Sequence, residues 1–117
     1  MKHATTAEPL AYRFGAWGPV YLLEADSLAL GVVALRPGDE VENHRHDRCD
    51  ETFVILEGAC TLWVDRVTRV TMRAGEVYSC APGEEHHLVN DTASTCRLVF
   101  VKTPPSPGDT VALPWRP

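Results

Sequence analysis

Apolar residues recur along the chain in short blocks rich in Val, Leu, Thr and aromatics, interrupted by Gly, Pro, Asn or Asp. No stretch sustains the 3.6-residue period of an amphipathic helix, so the pattern predicts an all-β protein. The predicted strands are Val20 to Glu24, Ser27 to Arg36, Glu40 to Arg45, Thr52 to Leu56, Ala59 to Val64, Val67 to Met72, Glu76 to Cys80, His86 to Val89 and Cys96 to Lys102. Short strands at turn-punctuated spacing predict a sandwich or barrel.

The segments Arg36-Pro37-Gly38-Asp39, Glu57-Gly58, Ala74-Gly75 and Ala81-Pro82-Gly83 each put a glycine where a tight reversal needs positive φ. Residues 103–117 hold five of the nine prolines and are excluded from any central strand. Val111, Leu113 and Trp115 nevertheless give this tail an apolar side, which predicts an ordered arm packed across the barrel or against another subunit. The expected organisation is an N-terminal arm or edge strand over residues 1–19, a β-barrel over 20–102 and a Pro-rich C-terminal arm over 103–117.

Candidate chemistry is concentrated between Gly38 and Gly58. Alternate residues of a strand share a face about 6.7 Å apart, so His44 and His46 can aim both imidazoles at one point. The polar stretch Asp47 to Asp50 is long enough to return the chain and bring Glu51 back on a neighbouring strand. A His-His-carboxylate face of this kind suits first-row divalent metals. Downstream, His86 and His87 are adjacent and must face opposite sides of a strand, so only one can join the cluster. His86, following the Pro82-Gly83 turn, is the one expected to do so.

These two segments resemble the motifs of the cupins, small β-barrels of jelly-roll type. The first motif is G, five residues, H-x-H, three or four residues, E, six residues, G; Gly38, His44, His46, Glu51 and Gly58 occupy its fixed positions with the four-residue spacer. The second is G, five residues, P-x-G, two residues, H, three residues, N; Gly75, Gly83, His86 and Asn90 fall in register, while Ala81 stands where a proline is expected and Pro82 follows it. The turn at Asp65-Arg66 also lacks the glycine usual in related chains. The resemblance covers at least residues 27–102 and implies an all-β, cupin-type jelly-roll barrel in a single domain. It also implies that His44, His46, Glu51 and His86 hold one divalent transition metal: iron, manganese, nickel, zinc or copper.

Several further residues fit this frame. Phe53 and Ile55 share parity with Glu51, and Leu88 with His86, so they are expected to line the cavity around the metal. If the strand is regular, Glu40 and Glu42 share parity with His44 and could accept a hydrogen bond from a ligand or act as acid/base; a solvated strand end explains them as well. Tyr12, Trp17, Tyr21 and Tyr78 are candidates for a rim or lid. His87 is expected at the surface or behind the ligands, and His3 in a solvated tail. Val54 and Leu56 point away from the metal, as do Leu98 and Phe100 if Arg97, Val99 and Val101 take the other face. Strands apolar on both faces call for a second layer or a subunit contact, which predicts a homodimer.

Size and charge narrow the function. At 117 residues the chain is one domain, and its net charge of −5 argues against a nucleic-acid partner, whose phosphates attract Lys and Arg. There is no signal-like apolar N-terminus and no run approaching a membrane span, so a cytoplasmic protein without a membrane partner is expected. Cys49, Cys60, Cys80 and Cys96 form no CxxC pair and are expected as free thiols. The expected partner is a small-molecule substrate. An open metal site can polarise a carbonyl, acidify water or bind substrate beside dioxygen. The leading expectation is a metal-dependent enzyme acting on a small oxygen-rich molecule. Oxidoreductase chemistry of the dioxygenase type is placed slightly ahead of sugar isomerase or cyclase chemistry, with Glu51, Glu42 or Glu40 moving the proton. The alternative is a non-catalytic module that binds a metal or small ligand.

Overall fold

The computed structural model describes residues 1–117. Ten strands follow one another: β1 (Gly18–Glu24), β2 (Ala29–Leu35), β3 (Glu40–His46), β4 (Asp50–Glu57), β5 (Ala59–Val64), β6 (Thr68–Arg73), β7 (Val77–Cys80), β8 (His86–Val89), β9 (Cys96–Thr103) and β10 (Thr110–Ala112). They form two five-stranded antiparallel sheets in the orders β1-β2-β9-β4-β7 and β10-β3-β8-β5-β6. No helix is long and apolar enough to cross a membrane.

Each predicted strand is present with its ends moved by at most two residues. The additional strand is β10, in the Pro-rich arm, and it pairs with β3 at the sheet edge, where missing N–H donors cost least. The predicted turn glycines Gly38, Gly58, Gly75 and Gly83 all have positive φ. At Gly58 a side chain is excluded twice, because a Cβ would lie 2.4 Å from the Thr95 carbonyl oxygen. The turn at Asp65-Arg66 keeps positive φ at both residues without a glycine. It is held from outside: Glu85 N donates to Asp65 Oδ1 at 2.9 Å, and Arg66 pairs with the Glu85 carboxylate at 2.8 Å. The β5–β6 hairpin is thereby fastened to the residue just before His86.

Val33, Leu35, Phe53, Ile55, Leu62 and Leu88 fill the space between the sheets together with Leu98 and Phe100. The last two correct the sequence reading. Phe100 lies opposite Phe53, and Leu98 opposite Ile55, so these side chains point inward and Val99 and Val101 point outward. Both faces of β9 are apolar, and hydropathy alone could not set its parity. Gly31 follows from this packing, since a Cβ there would lie 2.2 Å from the Val20 carbonyl oxygen and 2.5 Å from the Phe100 ring. The four cysteines are free and buried.

Candidate metal centre

The three histidines come from the sheet containing β3 and β8, and the glutamate comes from the sheet facing it. A register shift between Val41 and His44 interrupts the β3–β8 pairing. Val41 packs on the core, and His44 and His46 further along converge with Glu51 of the facing sheet, so all three point inward and the irregularity reverses the parity of the strand between them. It sets His44 directly opposite His86. Glu51 lies on β4, opposite Cys80 on one side and Lys102 on the other.

The ligand atoms of His44, His46, Glu51 and His86 all lie within 4.8 Å of one another. Glu51 Oε1 is 3.0 Å from His86 Nε2, 3.5 Å from His46 Nε2 and 3.9 Å from His44 Nε2. The outer nitrogens are each tied to an oxygen. His44 Nδ1 donates to the Glu42 carbonyl at 2.7 Å, His86 Nδ1 to the Glu84 carbonyl at 3.1 Å, and His46 Nδ1 to Asp109 Oδ1 at 3.1 Å. A neutral imidazole that donates from Nδ1 presents a lone pair at Nε2. Lone pairs therefore converge on a carboxylate oxygen with no donor among them, and a proton or a metal cation is needed to relieve the clash. His46 Nε2 is buried and has no hydrogen-bond partner, as a nitrogen reserved for a metal would be. The residues present thus fit a divalent transition metal in donor type, tautomer and convergence.

Burial pushes the Glu51 carboxyl up, but the three imidazoles outweigh it and hold the group well below the usual carboxylate range. His46 is pushed down by burial and up by Glu51 and Asp109, with a net upward shift. Asp109 reaches His46 from the C-terminal arm, where its Oδ2 also accepts from Arg48 N at 3.2 Å. Spacing gave no sign of it, because it lies far down a Pro-rich tail.

The cluster forms part of the wall of a cavity of about 560 Å³, in the range of small-ligand sites. His44, His46 and Glu51 line it; His86 closes the cluster from behind, 1% exposed. Phe53 and Leu88 line the cavity as expected, whereas Ile55 belongs to the core and not to the cavity wall. Of the four aromatics proposed for a rim, Trp17 and Tyr21 are at the cavity. Tyr12 instead meets Arg97, and Tyr78 packs on the core with its hydroxyl donating to the Thr71 carbonyl at 3.4 Å.

Glu40 does not share the parity of His44, because the irregularity in β3 intervenes, and Glu42 falls within the irregularity itself. Glu40 is engaged by Arg116 and lies 3.3 Å from His87 Nε2. Glu42 is exposed at the cavity wall and has no ion pair. His87 faces away from His86 as predicted, but it is not at the surface: it is 1% exposed beneath Trp115, at a ring distance of 6.0 Å. Burial pushes its imidazole down. The cover is the C-terminal arm, whose course could not be read from the strand pattern. Lys102, absent from the sequence reading of the site, also lines the cavity, with Nζ 3.9 Å from Glu51 Oε2.

Residues 31–102 match the Cupin domain family. Among solved structures, an uncharacterised conserved protein with a double-stranded β-helix domain from Klebsiella pneumoniae is similar, with TM-score 0.75 and 20% identity over 97% of this chain and 91% of that one. A predicted oxalate decarboxylase from Thermotoga maritima gives TM-score 0.68 and 23% identity, covering 74% of this chain and 79% of its own. KdgF from Halomonas sp. gives 0.69 and 15%, covering 76% and 79%. No curated protein sequence matches.

Proposed function

The chain belongs to the cupin family, and from that premise we propose that it is a metal-dependent enzyme acting on a small oxygen-rich molecule. The observation that carries this reading is the convergence of His44, His46, Glu51 and His86 at a cavity of about 560 Å³. A purely structural site would be closed on all sides, whereas this one has room for a molecule beside it. The fold alone does not select a reaction, since folds of this kind host unrelated chemistries.

A sugar derivative, enol or aromatic diol with vicinal oxygens fits such a site. One bound iron, manganese, nickel, zinc or copper ion would polarise the substrate oxygens and, for a redox-active ion, exchange electrons. The chain supplies the rest. Phe53 and Leu88 keep the cavity wall apolar and exclude water, and the fixed Nδ1–H tautomers hold the imidazoles in place. Glu51 and Glu42 are the groups available to move a proton; Glu40 is occupied by Arg116. Redox chemistry of the dioxygenase type is placed slightly ahead of isomerisation or cyclisation, in a cytoplasmic setting where the four buried cysteines stay reduced.

Elemental analysis of untagged protein purified without chelators tests the proposal. Near one metal per chain is expected, with its loss in a His46→Ala, Glu51→Ala double variant. Iron, manganese, copper or nickel directs the next assay to oxygen consumption with diols and enols, and zinc to sugar isomerisation and cyclisation. Unchanged metal content in the double variant overturns the ligand assignment. A wild-type protein that takes up no metal even on reconstitution leaves a non-catalytic binding module as the better reading.

A further inference from the structure

Lys102 is the next inward residue of β9 after Leu98 and Phe100, and its cross-strand neighbour is Glu51. Its side chain is 19% exposed and lines the cavity. The ammonium donates to the Tyr21 hydroxyl at 2.8 Å and lies 5.4 Å from the Tyr21 ring and 5.8 Å from the Phe100 ring. Those rings meet edge to face at a centroid distance of 5.1 Å, so the stem and head of the lysine are held on a fixed aromatic seat.

An ammonium has three donors. Tyr21 takes one, and the 3.9 Å approach to Glu51 Oε2 is a charge contact, not a hydrogen bond. The remaining donors have no protein acceptor, and the side chain lines the cavity, so they are free for a ligand. Glu51 faces two ways, with Oε1 toward the imidazoles and Oε2 toward Lys102. An anion can therefore meet the ammonium on one side of this carboxylate while a second oxygen meets the histidine cluster on the other.

We propose that Lys102, seated on Tyr21 and Phe100, is the anion anchor of the cavity, and that the molecule bound there is a small carboxylate carrying a neighbouring oxygen. This rests on the metal-enzyme reading above and narrows its oxygen-rich substrate to an anionic one. Lys102 selects the substrate by charge, and the aromatic walls accept a flat or apolar body.

The test uses full-length protein loaded with Co(II), with salicylate and its neutral counterpart salicylamide as probes. Co(II) uptake is read by absorption, and probe binding by calorimetry, for the wild type, Lys102→Met and Lys102→Arg. The expected result is undiminished Co(II) uptake in all three. Salicylate affinity should fall at least about tenfold in Lys102→Met, the scale of a lost charge-assisted hydrogen bond. Salicylamide affinity should stay unchanged, and Lys102→Arg should recover most of the salicylate binding. A merely structural lysine would weaken both probes alike. An unchanged salicylate-to-salicylamide ratio in Lys102→Met overturns the proposal, as does a wild-type protein that takes up Co(II) and binds neither probe. Failure of the wild type to take up Co(II) overturns the metal-site reading itself, and this proposal with it.

Discussion

The Nδ1 atoms of His44 and His86 are tied to backbone carbonyls two residues earlier in the chain, whereas that of His46 is tied to a side chain brought from another part of the chain. The first two contacts come with local backbone geometry and survive most substitutions. The third depends on Asp109. A carboxylate accepting from the outer nitrogen fixes the tautomer and raises the basicity of the inner one. Asp109→Asn is therefore expected to weaken metal affinity about 10- to 100-fold without unfolding the protein. Competition with a chromogenic chelator measures this directly, and an unchanged affinity would show that Thr110, 3.2 Å from the same nitrogen, suffices. The converging residues His44, His46, Glu51 and His86 were legible because their spacing obeys strand periodicity and a family motif. Asp109 and Lys102 were not. One acts across a long loop with no periodic relation to His46, and the other carries a charge that normally marks the solvent face, on a strand apolar on both sides.

At the level of elements, turns and strand centres followed from glycine, proline and β-branched residues, while irregularities did not. The shift in β3 between Val41 and His44 is the consequential one, because it turns His44 and His46 inward without bringing Glu40 along. A regular alternation cannot encode that reversal. The position ending β8 was legible only as part of a motif, and the structure supplies its physical reason. Asn90 is fully buried and donates from Nδ2 to the carbonyls of Leu35 and Ser94, both at 2.8 Å. Its Oδ1 accepts from Thr92 N at 3.0 Å and Thr92 Oγ1 at 2.7 Å. One amide thus joins the end of β2 to the loop that leads into β9. Asn90→Ala leaves several buried carbonyl and N–H groups without partners and is expected to cost on the order of 3 kcal/mol in denaturant unfolding. A loss below about 1 kcal/mol would mean that water replaces the amide.

Over the whole molecule the two sheets differ in what they present outward. The sheet carrying the histidines is crossed by the C-terminal arm, with Leu113 N donating to the Asn43 carbonyl and Trp115 packed on Trp63 at 5.7 Å. Its remaining outer positions include Arg69 and Arg73. Across the other sheet the register aligns Val20, Val32, Val99, Val54 and Val77 in one row spanning all five strands. Val77 at its edge is 61% exposed, and Leu56 nearby is 50% exposed. The two-faced apolar character of these strands was visible in the sequence; which face belonged to the core was not. Val32 is already fully buried within the chain, so the part left facing water is the β4–β7 end with Val54, Leu56 and Val77. Removing it from water is stabilising, and a second copy of the same face is self-complementary under a two-fold axis. The homodimer expected from the sequence is accordingly proposed to form through this row. Val54→Glu places a charge in its water-facing half without touching the core between the sheets. The variant is expected to sediment as a monomer with an unchanged circular dichroism spectrum, while the wild type sediments at twice the chain mass. A wild-type monomer at concentrations of tens of micromolar would assign the valine row to no self-contact and leave it to a different protein.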